Sequence, residues 1–137
     1  MKVVLDTNIL VSGLMTRGGN SAVILDHVVQ GSLTACADDR MFDEYERVCV
    51  DPGLKLDTDA VHDFLSFLRN SAEQVVPRPL GVVIPDPDDV PFLEVAAASD
   101  AVLITGNRKH FPAKNVGRVR VASPAEFMAL FHTFRPE

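Results

Sequence analysis

Val3-Val4-Leu5-Asp6-Thr7-Asn8-Ile9-Leu10 sets three consecutive apolar residues directly before a carboxylate and two small polar residues. The apolar triplet reads as a short buried strand, and Ile9 and Leu10 open a helix-like run. Asp6 then lies at the carboxyl end of the strand, where open α/β sheets place their ligands. An acid there points to a metal or phosphate site. The same acid also suits the cap of the next helix, and position alone leaves both uses open.

Working outward, strand-like and helix-like segments alternate. Ser21 to Gln30 carries Ala22, Leu25, Val28 and Val29 at helical spacing, and Gly31 closes it. Leu33 to Cys36 is a second short strand. Asp38 or Asp39 caps the helix bearing Phe42, Tyr45, Val48 and Cys49, which Asp51-Pro52-Gly53 ends. Thr58 or Asp59 opens a further helix with Val61, Phe64, Leu65 and Leu68 on one face. Val75 and Val76 mark a short strand, and the proline-rich stretch from Pro77 to Pro87 is a loop. A helix follows from about Asp89 to Ser99, then a strand from Ala101 to Thr105, and another around Val119 and Val121. Ser123-Pro124-Ala125-Glu126 is a capping box with proline at the first helical position; Phe127, Leu130, Phe131 and Phe134 supply that helix's apolar face. The alternation predicts an α/β fold with right-handed crossovers and a mainly parallel sheet, in a single domain over 1–137.

The 137 residues are 47% hydrophobic, enough for one sizeable core, and the formal net charge is -6. That charge argues against binding nucleic acid through a broad basic face. It leaves room for an enzyme that meets phosphates through bound cations. No apolar run reaches transmembrane length, and an acid at position 6 does not fit a signal peptide. The expectation is a cytoplasmic protein that does not use a membrane. Cys36 and Cys49 stand in apolar segments and read as buried free thiols.

The acids fall into a pattern. Glu44 and Glu46 border the two edges of one apolar arc, so periodicity does not choose between them. Asp86, Asp88 and Asp89 crowd the start of a helix, where a single acid suffices for a cap. Asn107 follows the strand Ala101 to Thr105, again at a carboxyl end. In a parallel sheet such ends share one edge, so these groups converge on one crevice. Two carboxylates about 5 Å apart repel by roughly 3 kcal/mol at an effective dielectric of about 20. Several ionised together need a counter-charge, and magnesium or manganese supplies it through oxygen ligands. The four histidines show no ligand spacing, which argues against zinc.

Four motifs in this order and spacing resemble PIN-domain nucleases. They are Val3 to Leu10, Phe42-Asp43-Glu44-Tyr45, Asp86-Pro87-Asp88-Asp89 with Phe92-Leu93, and Leu103-Ile104-Thr105-Gly106-Asn107-Arg108-Lys109-His110-Phe111-Pro112. The resemblance spans nearly the whole chain and is nearest to small prokaryotic toxin components of toxin–antitoxin systems. It implies a PIN-like three-layer α/β/α fold and magnesium- or manganese-dependent cleavage of RNA. It implies Asp6, Glu44 and Asp89 as the metal-binding acids, selecting Glu44 over Glu46. Asn107 joins them as a catalytic position, where many members carry a fourth aspartate. Asn8 and Thr105 match residues that orient the site, and Asp86 and Asp88 are accessory acids. Arg17, Arg108, Lys109 and His110 lie in loops that could flank the same edge and meet the RNA backbone; solvated surface is at least as strong a reading for each. An antitoxin protein and a homodimer are the partners the resemblance implies. Two other readings stand beside this one. The first is a PIN-fold module that binds RNA or protein and cuts weakly or not at all, which Asn107 and the negative net charge favour. The second is a phosphotransferase with Asp6 as nucleophile, which Asn8 disfavours, since that chemistry commonly places a second Asp there.

Overall fold

Val3, Val4 and Leu5 are almost wholly buried because the strand they form, β1 (Lys2–Leu5), lies at the centre of the sheet. The computed structural model describes residues 1–134. Its other strands are β2 (Thr34–Ala37), β3 (Glu73–Gln74), β4 (Val102–Ile104) and β5 (Val121–Ala122), in the order β3-β2-β1-β4-β5. Every pairing is parallel, with Val3 opposite Ala35 on one side and Val102 on the other.

Parallel neighbours need crossovers, and helices supply them. Helices α1 (Thr7–Met15) and α2 (Asn20–Gln30) join β1 to β2; α3 (Asp39–Cys49) and α4 (Thr58–Ser71) join β2 to β3. Helix α5 (Val90–Ser99) leads into β4, and α6 (Pro124–Phe134) follows β5. The chain steps outward from β1 to β3, then returns to place β4 on the far side of β1. Right-handed crossovers put the outward and returning segments on opposite faces, which gives the three layers. α5 packs across β1, β2 and β4. The point of reversal lies between β1 and β4, so the crevice at their carboxyl ends is the natural ligand position.

Local signals explain the ends of elements. Gly31 stops α2 in the left-handed conformation (φ 85°), its N–H reaching the Val28 carbonyl at 3.2 Å. Asp38 caps α3 through the Met41 N–H. The capping box closes as the sequence predicts, with Ser123 N–H donating to Glu126 (2.9 Å) and Glu126 N–H to Ser123 Oγ (3.1 Å).

Some placements differ from the sequence reading. The third strand is Glu73–Gln74, two residues ahead of Val75 and Val76. It is an edge strand held by backbone pairing to Cys36 and Ala37, and Val76 is 96% exposed. Asp57, not Thr58 or Asp59, caps α4. On α2 the buried face uses Ile24, Leu25 and Val28, while Val29 is exposed. The Phe134 side chain lies outside the described residues. Cys36 and Cys49 are buried free thiols. Among the described residues no helix is long and apolar enough to cross a membrane.

Candidate functional site

Asp6 leaves β1 with extended backbone and immediately caps α1, its Oδ1 accepting the Thr7 N–H at 2.8 Å. The other oxygen faces across the sheet reversal. Oδ2 accepts from Thr105 Oγ1 at 2.7 Å and from Asn8 Nδ2 at 3.3 Å. Thr105 is fully buried just past β4, and its hydroxyl also accepts the Asn107 N–H at 3.0 Å. Asn8 continues the link, its Oδ1 accepting the Gly106 N–H at 3.0 Å. The loops after β1 and β4 are thereby stitched together around one carboxylate. Burial pushes the Asp6 pKa up, and the hydrogen bonds from Thr105 and Thr7 pull it partly back.

Glu44 arrives from α3. Its Oε2 accepts a short hydrogen bond from Thr7 Oγ1, and its Oε1 lies 3.5 Å from Arg47. Burial raises its pKa; the Thr7 bond opposes this, and the Asp6 charge adds to it. Glu46 turns outward to Arg69 at 3.0 Å. The neighbouring Tyr45 explains how α3 is held there. Its ring is buried against Phe42 and Phe92, and its hydroxyl donates to the Leu5 carbonyl. Tyr45 and Leu5 are the sequence neighbours of Glu44 and Asp6, so this one bond docks the helix acid beside the strand acid. Burial keeps the phenol well above its ordinary pKa and therefore a donor.

Asp86, Asp88 and Asp89 separate in role. Asp86 caps the short 3-10 turn Pro87–Asp89 by accepting the Asp88 N–H at 2.9 Å. Asp88 is exposed beside Arg40, Glu44 and Arg47. Asp89 is buried at the turn's end with no capping bond to α5, although a carboxylate before a helix ordinarily makes one. Burial, then the charges of Asp6 and Asp86, push its pKa to about 6, with His110 opposing. His110 Nδ1 stands 2.8 Å from Asp89 Oδ2.

Asp6, Glu44 and Asp89 line one open cleft of about 280 Å³ together with Thr7, Asn8 and His110. Asp86, Asp89 and His110 bring donor atoms within 4.8 Å of one another. The cleft lining is oxygen-rich, with Asp6, Glu44 and Asp89 all held above their ordinary pKa, and with the neighbouring Asp86–Asp89–His110 group it fits a divalent cation. Asn107 is half-buried and does not line the cleft. The loop cations disperse: Arg17 and Lys109 are exposed, and Arg108 grips Glu126 at 3.0 and 2.8 Å.

Sequence reasoning missed two contributors. Thr7 carried a signal, a hydroxyl directly after Asp6. Tyr45 carried only its helical position. The sequence reads His110 as a loop residue that could flank this edge and meet the RNA backbone; its contact with Asp89 depends on how the loop after β4 returns to the turn before α5.

A family model described as PIN domain matches residues 2–109. An uncharacterized protein of Methanocaldococcus jannaschii is 26% identical, over 98% of this chain and 94% of its own. Among solved structures, a chain in VapBC2 from Rickettsia felis bound to a DNA fragment from their promoter superposes with a TM-score of 0.61. It is 17% identical and covers 90% of this chain and 98% of its own. A chain in FitAcB from Neisseria gonorrhoeae gives a TM-score of 0.58 at 14% identity, with the same 90% and 98% coverage. At these identities the structural likeness is one of fold.

Proposed function

The chain belongs to the PIN domain family, and from that premise we propose that it is a metal-dependent endoribonuclease hydrolysing RNA phosphodiester bonds. The observation that carries the proposal is the meeting of Asp6, Glu44 and Asp89 in one cleft from three distant parts of the sequence. These three acids would hold the cation, with Asp86 at its margin. Magnesium or manganese would offset their charge and stabilise the phosphate and leaving oxygens. The chain's own part is preorganisation. Thr105, Asn8 and the Thr7 N–H fix the Asp6 carboxylate, the Thr7 hydroxyl fixes Glu44, and Tyr45 holds the two acids in register. With a net charge of -6, the protein draws RNA to this edge through the bound cation rather than through a basic face.

The test is cleavage of RNA by the purified protein with manganese. Asp6→Asn should lower the rate at least about 100-fold, and chelation should abolish it. Equal cleavage by both proteins would refute the assignment. A non-cutting PIN module remains the second reading, favoured by Asn107, a neutral amide outside the cleft lining; it requires that no divalent ion elicit cleavage.

We assign the nuclease to the toxin side of a toxin–antitoxin pair in the cytoplasm. The fold likeness to chains of VapBC2 and FitAcB supports this reading. The antitoxin would place a basic side chain in the acidic cleft, and a homodimer is the assembly proposed for the free chain.

A further inference from the structure

Among the described residues, the one close neighbour of the buried Asp89 Oδ2 is His110 Nδ1, 2.8 Å away. The Asp89 side chain is only 9% exposed and opens on the cleft. A buried carboxylate costs stability unless a cation completes it, either the imidazolium or a metal ion that the imidazole and the carboxylate share. Two donors bound at about 2.1 Å in adjacent octahedral positions stand about 3 Å apart, close to the separation seen here. The backbone that carries the imidazole is held in place. His110 N–H bonds the Asn107 carbonyl at 3.1 Å, Phe111 next to it is buried, and Arg108 at the head of the same turn is anchored on Glu126.

We propose that His110 is a ligand of the cation held in this cleft, giving it one nitrogen donor beside Asp86 and Asp89. This rests on the reading of the cleft as a divalent-metal site and deepens it. Nitrogen ligation selects among metals: magnesium keeps to oxygen, whereas first-row transition ions accept imidazole. The site therefore prefers manganese or cobalt to magnesium. The other three histidines are elsewhere, His27 and His132 against Phe131 and His62 on α4.

The experiment uses the whole chain, stripped by chelation and loaded with manganese alone. Pulsed electron paramagnetic resonance should show coupling of the manganese to an imidazole nitrogen in the unsubstituted protein. His110→Gln should lose that coupling and narrow the manganese-over-magnesium affinity ratio by at least about tenfold. Bound manganese without nitrogen coupling, no manganese binding, or an unchanged ratio in His110→Gln would each overturn the proposal. The first measurement needs no variant, so misfolding of His110→Gln cannot shield it. RNA cleavage is assayed separately. Manganese-dependent cleavage without nitrogen coupling defeats this inference alone, and nitrogen coupling without cleavage under any condition defeats the nuclease reading alone.

Discussion

Replacing Asp89 by Asn should stabilise the metal-free protein at neutral pH while weakening its response to divalent ions. The carboxyl titrates near about 6 in the fold against an ordinary 3.8. It therefore holds its proton more tightly folded than unfolded, and stability falls as pH rises through that window. The full difference of roughly 2 pH units corresponds to about 3 kcal/mol lost by pH 7. Water at the open mouth of the cleft screens part of this, and Asn also forfeits the attraction of His110, so about 1–2 kcal/mol is the expected gain. In a domain of this size that is roughly 3–6 °C in Tm. The assay is thermal unfolding of both proteins after chelation, at pH 4 and pH 7.5. Asp89→Asn should melt higher at pH 7.5, and the two should converge at pH 4, where the native carboxyl is protonated. Manganese at about 100 times its Kd adds about 2.7 kcal/mol to the unsubstituted protein, and most of that should vanish in the variant. A variant less stable at pH 7.5, or a gap of equal size at both pH values, would refute the account of Asp89 as a strained acid awaiting a cation.

Tyr45→Phe should cost about 1 kcal/mol in urea unfolding, since it strips the Leu5 carbonyl of its side-chain donor, and should weaken manganese binding by loosening Glu44 from Asp6; unchanged affinity by calorimetry would free Tyr45 of a positioning role. Thr105→Val should destabilise by about 1–2 kcal/mol, because it leaves the Asn107 N–H unpartnered and removes a donor from Asp6. Its apo Tm should rise more steeply on acidification, as Asp6 loses a bond that favours its charged form. Arg40→Ala should cost about 2–3 kcal/mol by chemical denaturation, as it removes the shared cation 2.7 and 2.8 Å from two nearly buried acids, Asp38 and Glu94, leaving each with a backbone N–H bond alone among the described residues. Adding Glu94→Gln should recover part of the loss, and strict additivity of the two would argue against a shared network.

What could be read from the sequence was whatever local chemistry decides. The strands β1 and β4 are apolar runs because both faces of a central parallel strand are covered, and the capping box at Ser123 needs only neighbours three residues apart. The edge strand β3 lies ahead of the valines because its pairing depends on the backbone of Cys36 and Ala37, while Val75 is partly buried against the core and Val76 is exposed. Glu44 and Glu46 were equivalent on a helical wheel. The Tyr45 bond to Leu5, a contact between residues forty apart in sequence, turns the Glu44 edge toward β1. His110 belonged with the loop cations by sequence, and only the approach of two loops set it against Asp89 rather than in solvent.

The two readings of Asp6, helix cap and site acid, turn out to be compatible for a geometric reason. A carboxylate has two oxygens, and here they take different partners. Oδ1 satisfies the first N–H of α1, while Oδ2 reaches across the strand reversal to Thr105. The cap therefore does not compete with the site; it fixes the rotamer that aims the second oxygen. The same division explains why Asp89 differs. With no capping bond, its burial is uncompensated by the backbone, and its pKa moves to about 6 whereas the Asp6 shift is restrained by its hydrogen bonds. Asp6 is the acid the fold has already oriented. Asp89 is the one whose charge most needs a cation, and it is there, beside His110, that the choice of metal should be made.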